Sequence, residues 1–319
     1  MNRVSVGFYS DARPKPWEAL VWLFFFASPW IWSSHALLIS EIAILGLFAI
    51  SLDLVLGYGG IVSLGHAAFF GAGAYTAALY AKHFNPDPVT GLLVAAAVTA
   101  VLGCICSLGI LRGSDLTRLM ITLGVALMFQ ELANKLDHIT GGADGLQGVV
   151  MQPVLGRYEF DLAGQTAAFY ALGVTLCIFC LLRWLVNTSF GFSLKAIRDN
   201  ALRAQAIGIP VHWRLMTVYT LAASVAGIAG ALQAQCSGFA SLDVFGFERS
   251  ADALLMVVLG GTGWLWGGLI GAIGFKTLQS SLSNLSPQYW MFWIGLTLVV
   301  LMWVGRDKWS HWANRGLRK

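Results

Sequence analysis

Ser51–Leu79 reads SLDLVLGYGGIVSLGHAAFFGAGAYTAAL. The stretch is apolar enough to lie in a bilayer, yet it carries Asp53, His66 and six glycines. A helix that only anchors has no use for them. Lipid supplies no hydrogen bonds, so irregular backbone and buried polar groups persist at membrane depth only against protein or a water-filled cavity. Ionisable groups there are costly and mark functional positions. The segment therefore reads as the wall of a path through a membrane.

The rest of the chain agrees. Of its 319 residues, 57% are apolar and 11% charged, whereas soluble domains carry about 25% charged residues. Mean hydropathy is +0.70. The start, MNRVSVGFYSDARPKPW, reads as a cytoplasmic tail, without the apolar core or cleavage site of a leader. At about 20 apolar residues per crossing, spans are expected near 18–38, 39–56, 61–81, 90–111, 119–136, 166–186, 214–236, 264–282 and 288–305. Ala253–Gly261 is shorter and reads as a half-helix running into the break Gly260-Gly261-Thr262-Gly263. Counting it gives ten crossings, or eight if 253–282 is re-entrant. With the N-terminus inside, 15 of the 20 Lys and Arg residues fall on inner segments, which supports an even count. The expected fold is an all-α polytopic membrane protein of about ten transmembrane helices, some of them broken. It has one membrane domain over 18–305 and cytoplasmic tails at 1–17 and 306–319.

Ser-Leu-Asp, then Gly-aromatic, then Ser, occurs at 51–63 and again in SLDVFGFERS, 241–250. Each match precedes a glycine-broken apolar run. On ten spans the two lie on opposite faces, as an inverted-topology repeat with a route between its halves would place them.

Two loops stand out. The outer loop 137–165 carries Asp137, Asp144, Glu159 and Asp161 against a single arginine, Arg157. Loops beyond about 12–15 residues tend to be functional or disordered. A docking surface for an external partner is expected, with a solvated cap as the plainer alternative. The inner loop 187–213 starts a turn at Phe190-Gly191, then shows helical spacing over Ser193–Ile207 through Leu194, Ile197, Ala201, Ala204 and Ile207. Gly208 and Pro210 stop it. Its polar face holds Lys195, Arg198, Asp199, Asn200 and Arg203. Such a rod lies on headgroups or fills a groove on a cytosolic partner. The signals at both ends favour the partner.

The order Lys195-Ala-Ile-Arg-Asp-Asn-Ala-Leu-Arg-Ala-Gln-Ala-Ile-Gly208-Ile resembles the coupling loop of ATP-binding-cassette (ABC) importer permeases. It is most similar to that of the branched-chain amino acid permease family of the LivM/LivH type, LivM more than LivH. Gly57-Tyr-Gly-Gly-Ile-Val-Ser-Leu-Gly-His-Ala-Ala-Phe-Phe-Gly-Ala-Gly-Ala-Tyr75, Thr140-Gly-Gly-Ala-Asp-Gly-Leu146 and Met256-Val-Val-Leu-Gly-Gly-Thr-Gly263 agree with it, in order. One departure is Trp266-Gly267-Gly268, where family members often carry Gly-Pro. The resemblance implies a ten-span permease of the type II-like importer class in a bacterial inner membrane. Its implied partners are a homologous permease, two cytosolic ATPases and a periplasmic substrate-binding protein, with no nucleic acid. It implies ATPase coupling through Lys195, Arg198, Asp199, Asn200, Arg203, Ala204 and Gly208, and binding-protein docking through the acidic outer loop. No cofactor is expected on this chain; ATP and Mg belong to the partner ATPases.

The residues themselves carry no catalytic set. Gly-Lys never occurs, so ATP phosphates cannot be held in the P-loop manner. The six histidines are dispersed, and no metal site is expected. Cys104, Cys106, Cys177, Cys180 and Cys236 lie in or at apolar runs and read as packing, the Cys177-x-x-Cys180 pair included. Candidate pathway residues are Glu41, Asp53, Ser63, His66, Phe69, Phe70 and Gln130. Glu41 or Asp53 suits a substrate ammonium. Backbone N–H groups around Gly59–Ser63 suit a carboxylate, and Phe69 and Phe70 an aliphatic chain. The plainer alternative is a buried carboxylate bonded to neighbouring backbone or to Lys276. Small residues at Ala223, Gly227 and Ala231, at Ala226, Gly230 and Ala234, and at Gly267 and Gly271 let helices approach within or between subunits. Trp17, Trp22, Trp30, Trp32, Trp213, Trp303, Trp309 and Trp312 read as interfacial anchors. Rival readings are a same-class permease for urea, short amides or aromatic acids, a stand-alone ion-coupled carrier, and a membrane enzyme.

Overall fold

The computed structural model describes residues 16–285, apart from 155 and 162, and isolated positions between 289 and 296. The expected span 288–305, residues 1–15 of the N-terminal tail, the tail 306–319 and the tryptophans at 303, 309 and 312 lie outside the described residues. Contacts divide the chain into two units, Met1–Ala272 and Ile273–Lys319. In the second, the Thr277 hydroxyl donates to the Ile273 carbonyl at 2.6 Å along the helix.

Each expected span up to 282 holds a helix. Helix α1 is Pro16–Ile31 and α2 is Ala36–Asp53, with a tight turn at Ser33–His35 between them. The first expected span therefore ends near Ile31 instead of 38. At its C-terminal end α2 loosens into a π-helix over Leu54–Tyr58. Then follow α3 (Ala67–His83), α4 (Pro88–Ile110), α5 (Asp115–Lys135), α6 (Gln165–Val186), α7 (Ser189–Asp199), α8 (Ala201–Ala206), α9 (Val211–Ser237), α10 (Phe247–Gly260) and α11 (Leu265–Leu285). Local chemistry starts two of them: Asp87 accepts from the Thr90 N–H with Pro88 at the first position of α4, and Ser114 caps α5. Among the described residues five helices are long and apolar enough to cross a membrane, or six if α10 and α11, bent by 112° at their break, count as one. The half-helix expected at 253–261 is the end of α10, longer at its start than the apolar run suggests. The two Ser-Leu-Asp matches take different local structures: the first ends α2, and the second opens a short 3₁₀ turn at Leu242–Phe245.

The core forms around α2 and α9. Residues Ala43–Val55 are buried without interruption, as befits a helix apolar on every face. Helix α9 lies against α3 and α4 through its small residues. A Cβ on Gly227 would sit 2.1 Å from the Thr99 Oγ1, and one on Gly230 would sit 1.8 Å from the Phe70 carbonyl oxygen. The small-residue stripe of α9 is therefore spent inside this chain. Gly260, Gly267 and Gly271 do the same for the α10–α11 hairpin, where a Cβ on Gly260 would sit 1.7 Å from the Gly267 carbonyl. Leu93, Val101 and Ile105 of α4 and Met120 and Met128 of α5 are exposed, faces suited to lipid or a partner helix. Cys177 and Cys180 are also exposed, on α6, so that pair is not core packing. Trp22 is buried, with its ring 5.4 Å from Phe179 and 5.8 Å from Trp266; it is part of an aromatic cluster and not an interfacial anchor.

The two loops sit at opposite ends of the bundle. Helix α6 leads from the loop 137–165 to the connector 187–210, and α9 leads from the connector back to Ala240, which pairs with Leu146 of the loop through N–H···O bonds of 2.8 and 3.1 Å. At 22 and 27 residues these helices separate the ends by about 33–40 Å.

Candidate functional site

After the π-helix the backbone leaves helical geometry between Gly59 and His66, with Gly60 at φ 72°. Other helices hold this segment. The Leu64 N–H donates to Thr122 Oγ1 of α5 at 3.3 Å, and the Ala67 N–H to Ser250 Oγ of α10 at 2.9 Å. Gly65 is pressed onto the Thr122 backbone, where a Cβ would lie 1.9 Å from the carbonyl oxygen. Non-helical backbone at membrane depth is tolerated when protein surrounds it in this way.

His66 is fully buried. Its Nε2 is 3.0 Å from the Ser51 hydroxyl. Its ring stacks on Phe48 at 5.7 Å and meets the edge of Phe69 at 5.9 Å. Phe70 packs on Phe48, and Phe69 on Tyr219. Ser63 is equally buried beside Tyr219. The His66 Nδ1 is buried with no hydrogen-bond partner, a costly state that marks a place where another polar group belongs, while the Ser63 hydroxyl has that of Tyr219 beside it. Ser63, His66, Phe69 and Phe70 thus form one cluster. Glu41 stands apart on α2, 10 residues or about 15 Å before Ser51. Gln130 is half-buried on α5, 8 residues or about 12 Å beyond Thr122.

Asp53, on the same helix as Ser51, has other company. Its Oδ1 accepts the Gly263 N–H at 2.7 Å, in the break just before α11. That matches the plainer expectation of a carboxylate bonded to backbone. The approach is close: a Cβ on Gly57 would sit 2.3 Å from the Gly263 nitrogen.

The connector is two helices, not the single rod expected over 193–207. Helix α7 starts earlier, at Ser189, so Phe190 and Gly191 are helical rather than a turn. At Asn200 the backbone turns extended, φ −163° and ψ 104°, and the Asn200 side chain caps α8 by accepting the Arg203 N–H at 2.9 Å. Gly208, at φ 88°, ends α8 as the sequence indicates. Leu194, Ile197 and Ala204 are buried against the bundle. Ala204, of the expected coupling set, is thus seated on its own chain. Arg198 Nη1 donates to the Gly57 carbonyl at 2.6 Å, and the Lys195 ammonium lies 5.5 Å from the Tyr58 ring centre. Asp199, Asn200, Leu202, Arg203, Ile207 and Gly208 are exposed.

Beside this junction opens a cleft of about 300 Å³, lined by Trp17, Tyr58, Lys195, Gly263 and Trp266 and by the buried ion pair of Glu18 with Arg183. Glu18, Ser51, Gly57, Tyr219 and Gly263 were not foreseen as site residues. Glu18 has no local signal, since its partner lies 165 positions away.

At the other end, Asp137, Asp144, Glu159 and Asp161 are all exposed. Asp161 also holds α6. Burial pushes its carboxyl up, but the N–H groups of Thr166 and Gln165 outweigh this and keep it below its ordinary value. Asp137 lies 3.3 Å from the His138 Nδ1.

Comparison with known proteins follows this geometry. The LivM permease protein of the high-affinity branched-chain amino acid transport system of Escherichia coli K12 is 25% identical over 278 residues, 81% of this chain and 65% of LivM. The chain thus spans less than two thirds of that relative's length. The LsrD permease protein of the autoinducer 2 import system of Salmonella typhimurium is 28% identical over 288 residues, 85% of this chain and 82% of LsrD. The fructose import permease protein FrcC of Rhizobium meliloti is 27% identical over 154 residues, 46% of this chain and 42% of FrcC. No solved structure matches. The model of the family described as branched-chain amino acid transport system / permease component matches residues 35–302, and this chain, all-helical over its described residues, belongs to that family.

Proposed function

We propose that this chain is the membrane-spanning permease subunit of an ATP-driven, binding-protein-dependent importer of branched-chain or similar amino acids. It sits in a bacterial inner membrane with both termini cytoplasmic. The observation that carries the reading is the connector. Its buried face, Leu194, Ile197 and Ala204, rests on the bundle, while α8 and its C-cap offer Leu202 and Ile207, 80% and 75% exposed, beside Arg203. An exposed apolar pair on a short seated helix suits the groove of a partner protein. Two partner ATPases, holding ATP and Mg, dock there. A homologous permease completes the pathway, and a substrate-binding protein docks on the acidic loop 137–165 at the opposite end.

Ser63, His66, Phe69 and Phe70 line the route, closed in the state described. The unbonded His66 Nδ1 and the Ser63 hydroxyl beside Tyr219 are the polar groups a substrate meets as the bundle opens. A second reading rests on the relatives: LsrD and FrcC are named for autoinducer 2 and fructose, so a substrate other than an amino acid is the alternative within the same class. Proteoliposomes carrying the chain with its permease, ATPase and binding-protein partners decide between them. ATP-dependent leucine uptake supports the first reading. ATP-dependent uptake of a sugar or amide alone supports the second, and uptake without any ATPase sinks both.

A further inference from the structure

We infer that Arg198 and Asp53 form a two-bond latch through which the connector holds the α10–α11 break shut, with both residues acting as positioning groups rather than as contacts to substrate or ATPase. The inference deepens the proposed function and rests on it for its link to ATP.

The latch is built from helix ends. The final carbonyls of a helix have no partner within it, and the negative end of the helix dipole lies there. Arg198 Nη1 meets the Gly57 carbonyl in the last turn of the α2–π segment at 2.6 Å. N–H groups near the start of a helix are unpaired in the same way and favour a negative charge. The Gly263 N–H, two residues before α11, meets the Asp53 carboxylate at 2.7 Å. A guanidinium thus sits on the end of one element and a carboxyl group just before the start of the next. The two bonds share one spot. A Cβ on Gly263 would lie 3.0 Å from Arg198 Nη1 and 3.3 Å from the Gly57 oxygen. Gly263 is at φ 76° and Gly60, pressed on the Arg198 side chain, is at φ 72°, so neither position admits a side chain without strain. Lys195 over Tyr58 adds a third contact between connector and π-helix.

The elements joined here are those with weak internal ladders: a π-helix, a non-helical segment and a 112° bend. π-Turns and breaks of this kind are where a helix yields. Moving α7 away from the bundle must stretch the Arg198–Gly57 bond, and the Gly57–Gly263 contact carries that displacement to the break. Arg198 therefore sets whether connector movement reaches the hinge.

Hydrogen exchange on the purified full chain, compared with transport by the assembled complex, tests this. In Arg198→Ala, amide exchange across residues 257–266 is expected to rise about tenfold, the scale of one charge-assisted bond, with mid-α9 amides unmoved. Arg198→Lys, which keeps a donor, restores much of the protection. Arg198→Met, which keeps the apolar stem without a donor, serves as the second variant should the alanine form misfold, with the same rise expected. In the complex, uptake per ATP hydrolysed falls about tenfold in Arg198→Ala, with the ATPases still bound. Unchanged exchange at 257–266, or uptake and hydrolysis falling in proportion, overturns the latch. A wild-type complex that takes up substrate without ATP sinks the importer reading instead, while the exchange result still judges the latch.

Discussion

At the residue scale, the buried charges are committed to protein partners. Glu18 and Arg183 pair across 165 positions with side chains 8% and 15% exposed. Breaking a buried pair costs about 3–5 kcal/mol when the remaining charge cannot be resolvated, and less where water reaches it. Glu18→Ala should therefore lower thermal stability in detergent markedly, and Glu18→Gln, which keeps an oxygen for the guanidinium, much less. Equal melting temperatures for all three proteins would show the pair to be idle. Nothing near position 18 reveals this pairing, because a single sequence records no contact between distant positions. The same limit hides the bond from Asp53 to Gly263, 210 positions on. The sequence singles out Asp53 correctly as an ionisable group in an apolar run, but its neighbours read equally well as substrate or backbone. Trp22 is misread for a related reason: a tryptophan near a span end has one appearance whether it faces headgroups or, as here, Phe179 and Trp266.

At the element scale, glycines mark both the breaks and the close approaches, and the sequence shows where they are but not which role each plays. The breaks at Gly59–Gly60 and Gly260–Gly263 are legible because glycine clusters interrupt long apolar runs. The Asn200 break is also legible in principle. An Asn three residues before Arg203 is a strong helix-start signal, but the apolar spacing through Leu194, Ile197, Ala201 and Ala204 runs straight past it and suggests one rod. The small-residue stripe of α9 has two possible partners, a neighbouring helix or another subunit, and the answer depends on tertiary packing. Contact distances assign it to this chain. Gly227→Ala should therefore cost about 1–3 kcal/mol through overpacking against Thr99. Gly109→Ala on α4, where a Cβ meets nothing within 4 Å, should be neutral or slightly stabilising. Thermal unfolding of the two variants side by side checks the pair; a neutral Gly227→Ala would mean that α9 and α4 do not pack as described.

At the scale of the whole molecule, two features divide the labour. Helices α6 and α9 separate an acidic loop from a seated connector by a membrane's thickness, and a broken, tightly packed wall lies between. Composition alone announces the membrane, and motif order announces the family. Neither reveals that the connector is bonded to the hinge it would move. In the proposed importer, α8 and its C-cap present Leu202 and Ile207 to an ATP-hydrolysing partner while α7 stays bonded to the bundle. Photo-cross-linking from residues placed at 202 and 207, in the complex isolated from membranes, measures this most directly. Adducts with the ATPase whose yield changes when ATP is added are expected; adducts with lipid or detergent alone, unaltered by ATP, would contradict this docking.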